Sequence, residues 1–133
     1  MDKQSIWDGH AVQGDVKELD YIAAAEGMIN LDADDIVSVL ASEGENRIAV
    51  GAGSSIGDAF KDAIAKLGCS IYKVNSLLID FCYGTKQPVV SEFSVAQSAM
   101  TDANPDLDVV WGVVCDESLG ESCKVILVAS VIP

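Results

Sequence analysis

Asn104-Pro105-Asp106-Leu107-Asp108-Val109-Val110-Trp111-Gly112-Val113-Val114-Cys115-Asp116-Glu117-Ser118-Leu119-Gly120 is the stretch from which the fold is read. Asn104-Pro105 ends the element before it. Proline lacks the amide a helix needs, and its ring pushes the preceding residue out of the helical region. Val109–Cys115 is apolar at successive positions, which predicts a strand buried on both faces at the centre of a sheet. Asp116–Ser122, with Gly120, reads as a hairpin loop, and Cys123–Val131 as the returning strand. The chain therefore finishes on a sheet, and the residues upstream must supply the other strands and the cover.

Working back, Val89, Phe93, Ala96 and Met100 mark a helical face. Gly84 to Pro88 is rich in turn residues. Leu77–Tyr83 reads as a strand with Leu77, Ile79, Phe81 and Tyr83 on one face and Leu78, Asp80 and Cys82 on the other. Ser54–Leu67 carries the clearest helical pattern: Ile56, Ala59, Phe60, Ala63, Ile64 and Leu67 fall on one side. Ser55 and Asp58 have the spacing of a capping box, and Gly68 stops the helix. Arg47–Val50 is a short strand. A further helix carries Ile36, Val39 and Leu40, with Asp32 as its N-cap. Val12, Val16, Leu19 and Ala23 predict an earlier helix, roughly Asp15 to Glu26, stopped by Gly27. Residues 1–14 read as a loosely ordered acidic segment.

This order predicts one α+β domain over 15–133, a two-layer sandwich. A mixed sheet of about four strands is covered by two to three helices, mainly on one face. Within it, 15–27 is a helix stub and 28–35 a loop.

Composition narrows the partners. The 133 residues carry a net charge of −13. The first 45 hold 11 acidic and 2 basic residues, the remaining 88 hold 10 and 6. Such a chain repels nucleic acid and anionic membrane. The longest apolar run, Val125–Ala129, is far too short to span a bilayer. The start has no signal-peptide pattern, so a cytoplasmic protein is expected. Cys69, Cys82, Cys115 and Cys123 lack metal-site spacing, and His10 is the only histidine, so no metal site is expected. The thiols read as reduced and buried. Cys115 and Cys123 would face each other across the last hairpin, where air oxidation could join them.

Two constellations have ligand-like spacing. Asn30-Leu31-Asp32-Ala33-Asp34-Asp35 is an acidic turn into a helix. Acids there stabilise the helix by about 0.3–1 kcal/mol each through its dipole, which needs no function. As a calcium loop it fails, with Asp35 at the glycine position and Ala41 at the closing glutamate. Gly51-Ala52-Gly53-Ser54-Ser55-Ile56-Gly57 leaves a strand and enters a helix, as a phosphate-binding turn does. It has one residue too many for the dinucleotide fingerprint, and Asp80, the nearest acid on a later strand, lies further on than the usual ~20 residues, so a tight strand-to-helix turn is the favoured reading. Trp111 reads as core, and His10 is assigned no role.

Two segments resemble the tubulin-like cell-division GTPase FtsZ. Met28 to Ile36 is similar to the family's synergy loop, Asn-x-Asp-x-x-Asp running into a helix. Asn104 to Gly120, with Lys124 to Ala129 after it, is similar to the family's last apolar strand and its Asp-Glu-Ser-Leu-Gly turn. The similarity spans roughly residues 21–131. It implies the FtsZ C-terminal domain fold. It further implies that Asp32 and Asp35 are the carboxylates that, from one subunit, orient the water attacking GTP on the next, with Asn30 holding the loop or touching the nucleotide. That chemistry needs an acceptor beside a metal-bound γ-phosphate, which a carboxylate supplies.

The phosphate loop of the family and its whole domain are absent from this sequence. The chain is therefore expected to bind no cofactor and to be no enzyme by itself, meeting GTP and magnesium only through a partner subunit. The expected partner is an FtsZ or tubulin-like GTPase. Departures from the family pattern include Val37 and the Ala59–Phe60 region, where arginines are usual, and Asp80–Gln87, which lacks Asn-Ile-Thr-Gly-Gly. The alternative is a standalone small-ligand-binding or metabolic domain using the Gly51, Gly53 and Gly57 turn or clefts between subunits.

Overall fold

The computed structural model describes residues 4–25, 29–41, 44–86, 88 and 90–132. Glu26, Gly27, Met28 and Val89, expected as a helix end, a helix stop, a loop start and a helix-face position, lie outside them. Among the described residues the mixed sheet has six strands, not four: β1 Gln4–Trp7, β2 His10–Gln13, β3 Glu45–Gly53, β4 Val74–Tyr83, β5 Asp108–Cys115 and β6 Cys123–Val131. Their order is β1-β2-β3-β6-β4-β5. β1 and β2 are the additional pair, inside the segment expected to be loosely ordered. Asp8 (φ 49°) and Gly9 (φ 83°) turn the chain with both residues left-handed, and Trp7 pairs with His10 around them. That is the geometry of a two-residue hairpin loop whose twist matches the strands.

β2 runs parallel to β3 and β4 parallel to β5, while β6 lies antiparallel between β3 and β4. This overturns the expected final hairpin. The segment after β5 crosses the end of β4, where Asp116 N–H donates to Tyr83 O at 2.7 Å and Thr85 N–H to Gly120 O at 2.7 Å. A Cβ on Gly84 would stand 2.1 Å from Gly120 O, so only glycine fits the crossing. Cys115 and Cys123 both pair with Tyr83, from opposite sides. Two strand spacings, about 10 Å, separate them, too far for a disulfide. All four thiols are free. Val109–Cys115 is thus an edge strand. The doubly buried strands are β4 and β6, and Val125–Ala129 is fully buried.

The helices are α1 Lys17–Ala24, α2 Ala33–Leu40, α3 Ile56–Leu67 and α4 Val90–Ala103. They cover both sheet faces rather than mainly one. α3 and α4 bury Ile56, Phe60, Phe93 and Met100 against Leu77, Ile79, Phe81, Leu127 and Ala129. Trp111 joins this core, 6.3 Å from the rings of both Phe81 and Phe93. α1 and α2 bury Leu19, Ile22, Ile36 and Val39 against Leu78, Cys82, Ile126 and Val128. α1 is shorter than predicted: Val12 belongs to β2, and Ile22 rather than Ala23 turns inward. α3 follows its sequence signals. The Ser55 hydroxyl accepts from Asp58 N–H at 3.2 Å, and Gly68 closes the helix at φ 75°.

Candidate functional site

The acidic loop enters α2 through a reciprocal cap. Asp35 N–H donates to Asp32 Oδ1 at 3.0 Å, and Asp32 N–H donates to Asp35 Oδ2 at 2.9 Å. Each carboxylate thus satisfies an amide the helix start would otherwise leave unpaired. Asp32 and Asn30 are exposed and Asp35 is half-buried. The other side of the loop is anchored. Ile29 makes an antiparallel bridge to Val113 of β5, with Ile29 N–H donating to Val113 O (3.2 Å) and Val113 N–H to Ile29 O (2.9 Å). Leu31 is 5% exposed and belongs to the core under α2. A strand bridge, a hydrophobic anchor and a helix cap therefore bracket Asn30, Asp32 and Asp35 within the seven residues Ile29–Asp35. These three lie together at the start of α2, Asn30 and Asp32 before the helix and Asp35 in its first turn.

Gly51, Gly53 and Gly57 are elsewhere. Gly51 and Gly53 are not a turn but the last residues of β3. A Cβ on Gly51 would meet Ala59 O at 2.1 Å and Ala63 N at 2.3 Å, and one on Gly53 would meet Ala59 N at 2.8 Å. Their missing side chains let α3 lie directly on β3, so helix backbone fills the space beside them. Gly57 instead borders an apolar groove of about 290 Å³ between α3 and α4, lined also by Phe60, Lys61, Glu92, Ala96 and Ala99.

A second polar group, not foreseen from sequence, lies between α1 and the sheet. The Tyr21 hydroxyl donates to Asp116 Oδ2 at 2.7 Å. Lys124 Nζ reaches Glu18 Oε2 at 2.9 Å and stands 4.4 Å from the centre of the Tyr21 ring. Asp80 is fully buried behind them, and neither carboxylate oxygen accepts a hydrogen bond among the described residues. Burial pushes its carboxyl up to about 7, against the pull of Lys124. Burial likewise raises the Tyr21 hydroxyl and the Cys82 thiol, so both stay protonated. Asp116 moves the other way, because Ser118 and Tyr21 donate to its ionised form. The signal available in sequence was one acid, Asp80, within an apolar strand; its neighbours come from distant segments. Among the described residues no cluster of histidine, cysteine and acidic side chains could hold a metal ion. No helix there is long and apolar enough to cross a membrane.

No family model matches the chain. FtsZ 1 of Halobacterium salinarum is 24% identical to it over 120 residues, covering 86% of this chain and 30% of that protein. An FtsZ dimer structure from M. jannaschii superposes with a TM-score of 0.71 at 24% identity, over 86% of this chain and 35% of that one. The fold is that of the FtsZ and tubulin C-terminal domain. CetZ from Methanosaeta thermophila shares the FtsZ-like fold at a TM-score of 0.70 and 17% identity, over 89% of this chain and 35% of its own. TubZ of Bacillus thuringiensis, solved as GDP-form protofilaments, shares it at 0.65 and 6%, over 82% and 32%. This chain spans about a third of the length of these FtsZ-like relatives.

Proposed function

We propose that this chain is an FtsZ-type C-terminal module that offers its Asn30–Asp35 loop, as a synergy loop, to a GTP site on a tubulin-like subunit. The observation that carries the reading is the reciprocal cap: it holds two carboxylates in fixed orientation at a loop that bridges to the sheet edge. An acceptor held in this way can order an attacking water without reorganising when the partner's nucleotide arrives. Two of the similar structures are of an FtsZ dimer and of TubZ protofilaments, so related chains assemble with one another. In this reading Asp32 and Asp35 act on the water, Asn30 touches or braces the nucleotide, and GTP with magnesium belongs to the partner. The chain alone hydrolyses nothing, and it works in the cytoplasm with a filament of the cell-division type.

The test is GTP turnover by an FtsZ titrated with this chain, with filament length followed by light scattering. A cap-preserving variant, Asp32→Ser/Asp35→Gln, runs beside it. Serine caps a helix about as well as aspartate, and glutamine fills the third position of a capping box. The wild-type chain should change turnover or filament length while the equally folded variant does not. Equal effects of the two chains, or none from either at large excess, would sink the proposal.

A further inference from the structure

We propose that Gly112, about 80 residues from the acidic loop in sequence, is its positioning residue, a role that rests on the function proposed above. Gly112 lies on β5, paired with Asp80 of β4, and is buried. The loop passes directly over it. A Cβ at Gly112 would stand 2.7 Å from Leu31 Cγ, 2.9 Å from Leu31 Cδ1 and 3.0 Å from Ile29 O. Real Cβ atoms essentially never approach as closely as the two Leu31 distances, and the third is tighter than most, so the bare α-carbon is the seat into which Leu31 settles.

The neighbouring contacts fix the loop about that seat. On one side Val113, the next residue of β5, holds Ile29 by both its amide and its carbonyl. On the other, Leu31 leads straight into Asp32 and its cap with Asp35. Two backbone bonds, one buried side chain and one cap leave little slack, and the height of the loop above β5 is set by what stands at position 112. Leu31 could rotate away from a new methyl group, but Ile29 O is backbone. It can yield only if the Ile29–Val113 bridge lengthens. A side chain at 112 therefore lifts the loop away from the sheet edge and moves Asn30, Asp32 and Asp35 with it, leaving their chemistry intact. The backbone at Ile29 must give by a few tenths of an ångström; a full 1 Å misplacement of reacting groups can cost about 100-fold in rate, so a smaller loss is expected here.

The experiment compares wild type, Gly112→Ala, Leu31→Ala and the double variant. Two-dimensional amide NMR with hydrogen exchange at Ile29 and Val113 reads loop position. GTP turnover by an added FtsZ reads function. In Gly112→Ala, shift changes should concentrate at Ile29–Asp35 and the Ile29 and Val113 amides should exchange faster, while α3 and β3 stay as in wild type. Stimulation of turnover should fall, by less than the roughly 100-fold that a 1 Å misplacement costs. Leu31→Ala in that background removes the Cγ and Cδ1 overlaps and should restore part of both signals. Unchanged loop shifts and exchange in Gly112→Ala would overturn the inference, whatever the turnover. Displaced shifts with no stimulation even by wild type would leave Gly112 as the seat of the loop and defeat the functional reading instead. Should Gly112→Ala not fold, Leu31→Ala alone decides: faster exchange at Ile29 supports the seat, and unchanged exchange refutes it.

Discussion

The Tyr21 hydroxyl donates to Asp116 Oδ2 at 2.7 Å, tying α1 to the crossover between β5 and β6 across 95 residues of chain. The bond is charge-assisted, and the ring that carries it also sits under Lys124. Tyr21→Phe keeps the ring and deletes the donor. It should destabilise the fold by about 1 kcal/mol, allowing for partial solvent access. Tyr21→Ala should cost more, because the packing over Lys124 goes too. Urea unfolding of the two variants checks this; a Tyr21→Phe as stable as wild type would mean that the hydroxyl contributes nothing, and equal losses in the two variants that the ring contributes nothing.

Asp80 gives stability a definite dependence on pH. Its carboxyl lies at about 7 in the folded chain against 3.8 ordinarily. The folded state therefore keeps a proton that the unfolded chain releases. The associated stability is complete below about pH 4, declines as pH rises towards 7, and changes little above. The limit is about 4 kcal/mol. In Asp80→Asn this decline should vanish, so the variant should gain on wild type steadily between pH 4 and 7. Denaturant midpoints at four pH values suffice, and parallel curves for the two proteins would contradict the assignment.

The glycines before and inside α3 should respond in opposite directions. Gly51→Ala would force a methyl group onto the α3 backbone at Ala59 and Ala63 and should cost about 1–3 kcal/mol or more. At Gly57 the added Cβ would meet only Ser55 Oγ, at 3.9 Å. Gly57→Ala should stabilise by roughly 0.5–1 kcal/mol, the usual gain for alanine within a helix. Thermal melts of both would show it, and a stabilised Gly51→Ala would mean that α3 does not lie against β3 as described.

The cap at α2 can be weighed without any partner protein. Asp32→Ala removes the acceptor for Asp35 N–H and should lower stability by about 0.5–2 kcal/mol, with Asp32→Ser close to wild type. Should serine and alanine behave alike in a denaturant titration, the cap would not be what holds this loop.

The sequence showed what depends on neighbours along the chain. Ser55, Asp58 and Gly68 mark the ends of α3, and Asp32 marks the start of α2, because caps are local chemistry. The alternating faces of Leu77–Tyr83 were equally plain. Asp8-Gly9 was a legible hairpin signal, but its flanks, Gln-Ser-Ile-Trp and His-Ala-Val-Gln, are too short and polar to look like strands. The place of β6 was not legible, since nothing local distinguishes pairing with β5 from insertion between β3 and β4. Val125–Ala129 hinted at it by being apolar throughout, the mark of a strand covered on both faces. At the site, Asp32 and Asp35 could be read as partners three residues apart. The Tyr21–Asp116 and Glu18–Lys124 pairs could not, because they join segments 95 and 106 residues apart.

The insertion of β6 has a consequence for the order in which the domain can assemble. β3 and β4 never touch as strands; Cys123–Val131 is the wedge that joins them. As the chain leaves the ribosome, β1-β2-β3 and β4-β5 can form only two separate half-sheets with bare facing edges, and such edges invite the wrong neighbour. The nine-residue strand β6 closes both at once, so folding of this sheet waits on Cys123–Val131, and a nascent chain stopped short of them is a pair of open sheets rather than a smaller version of the fold.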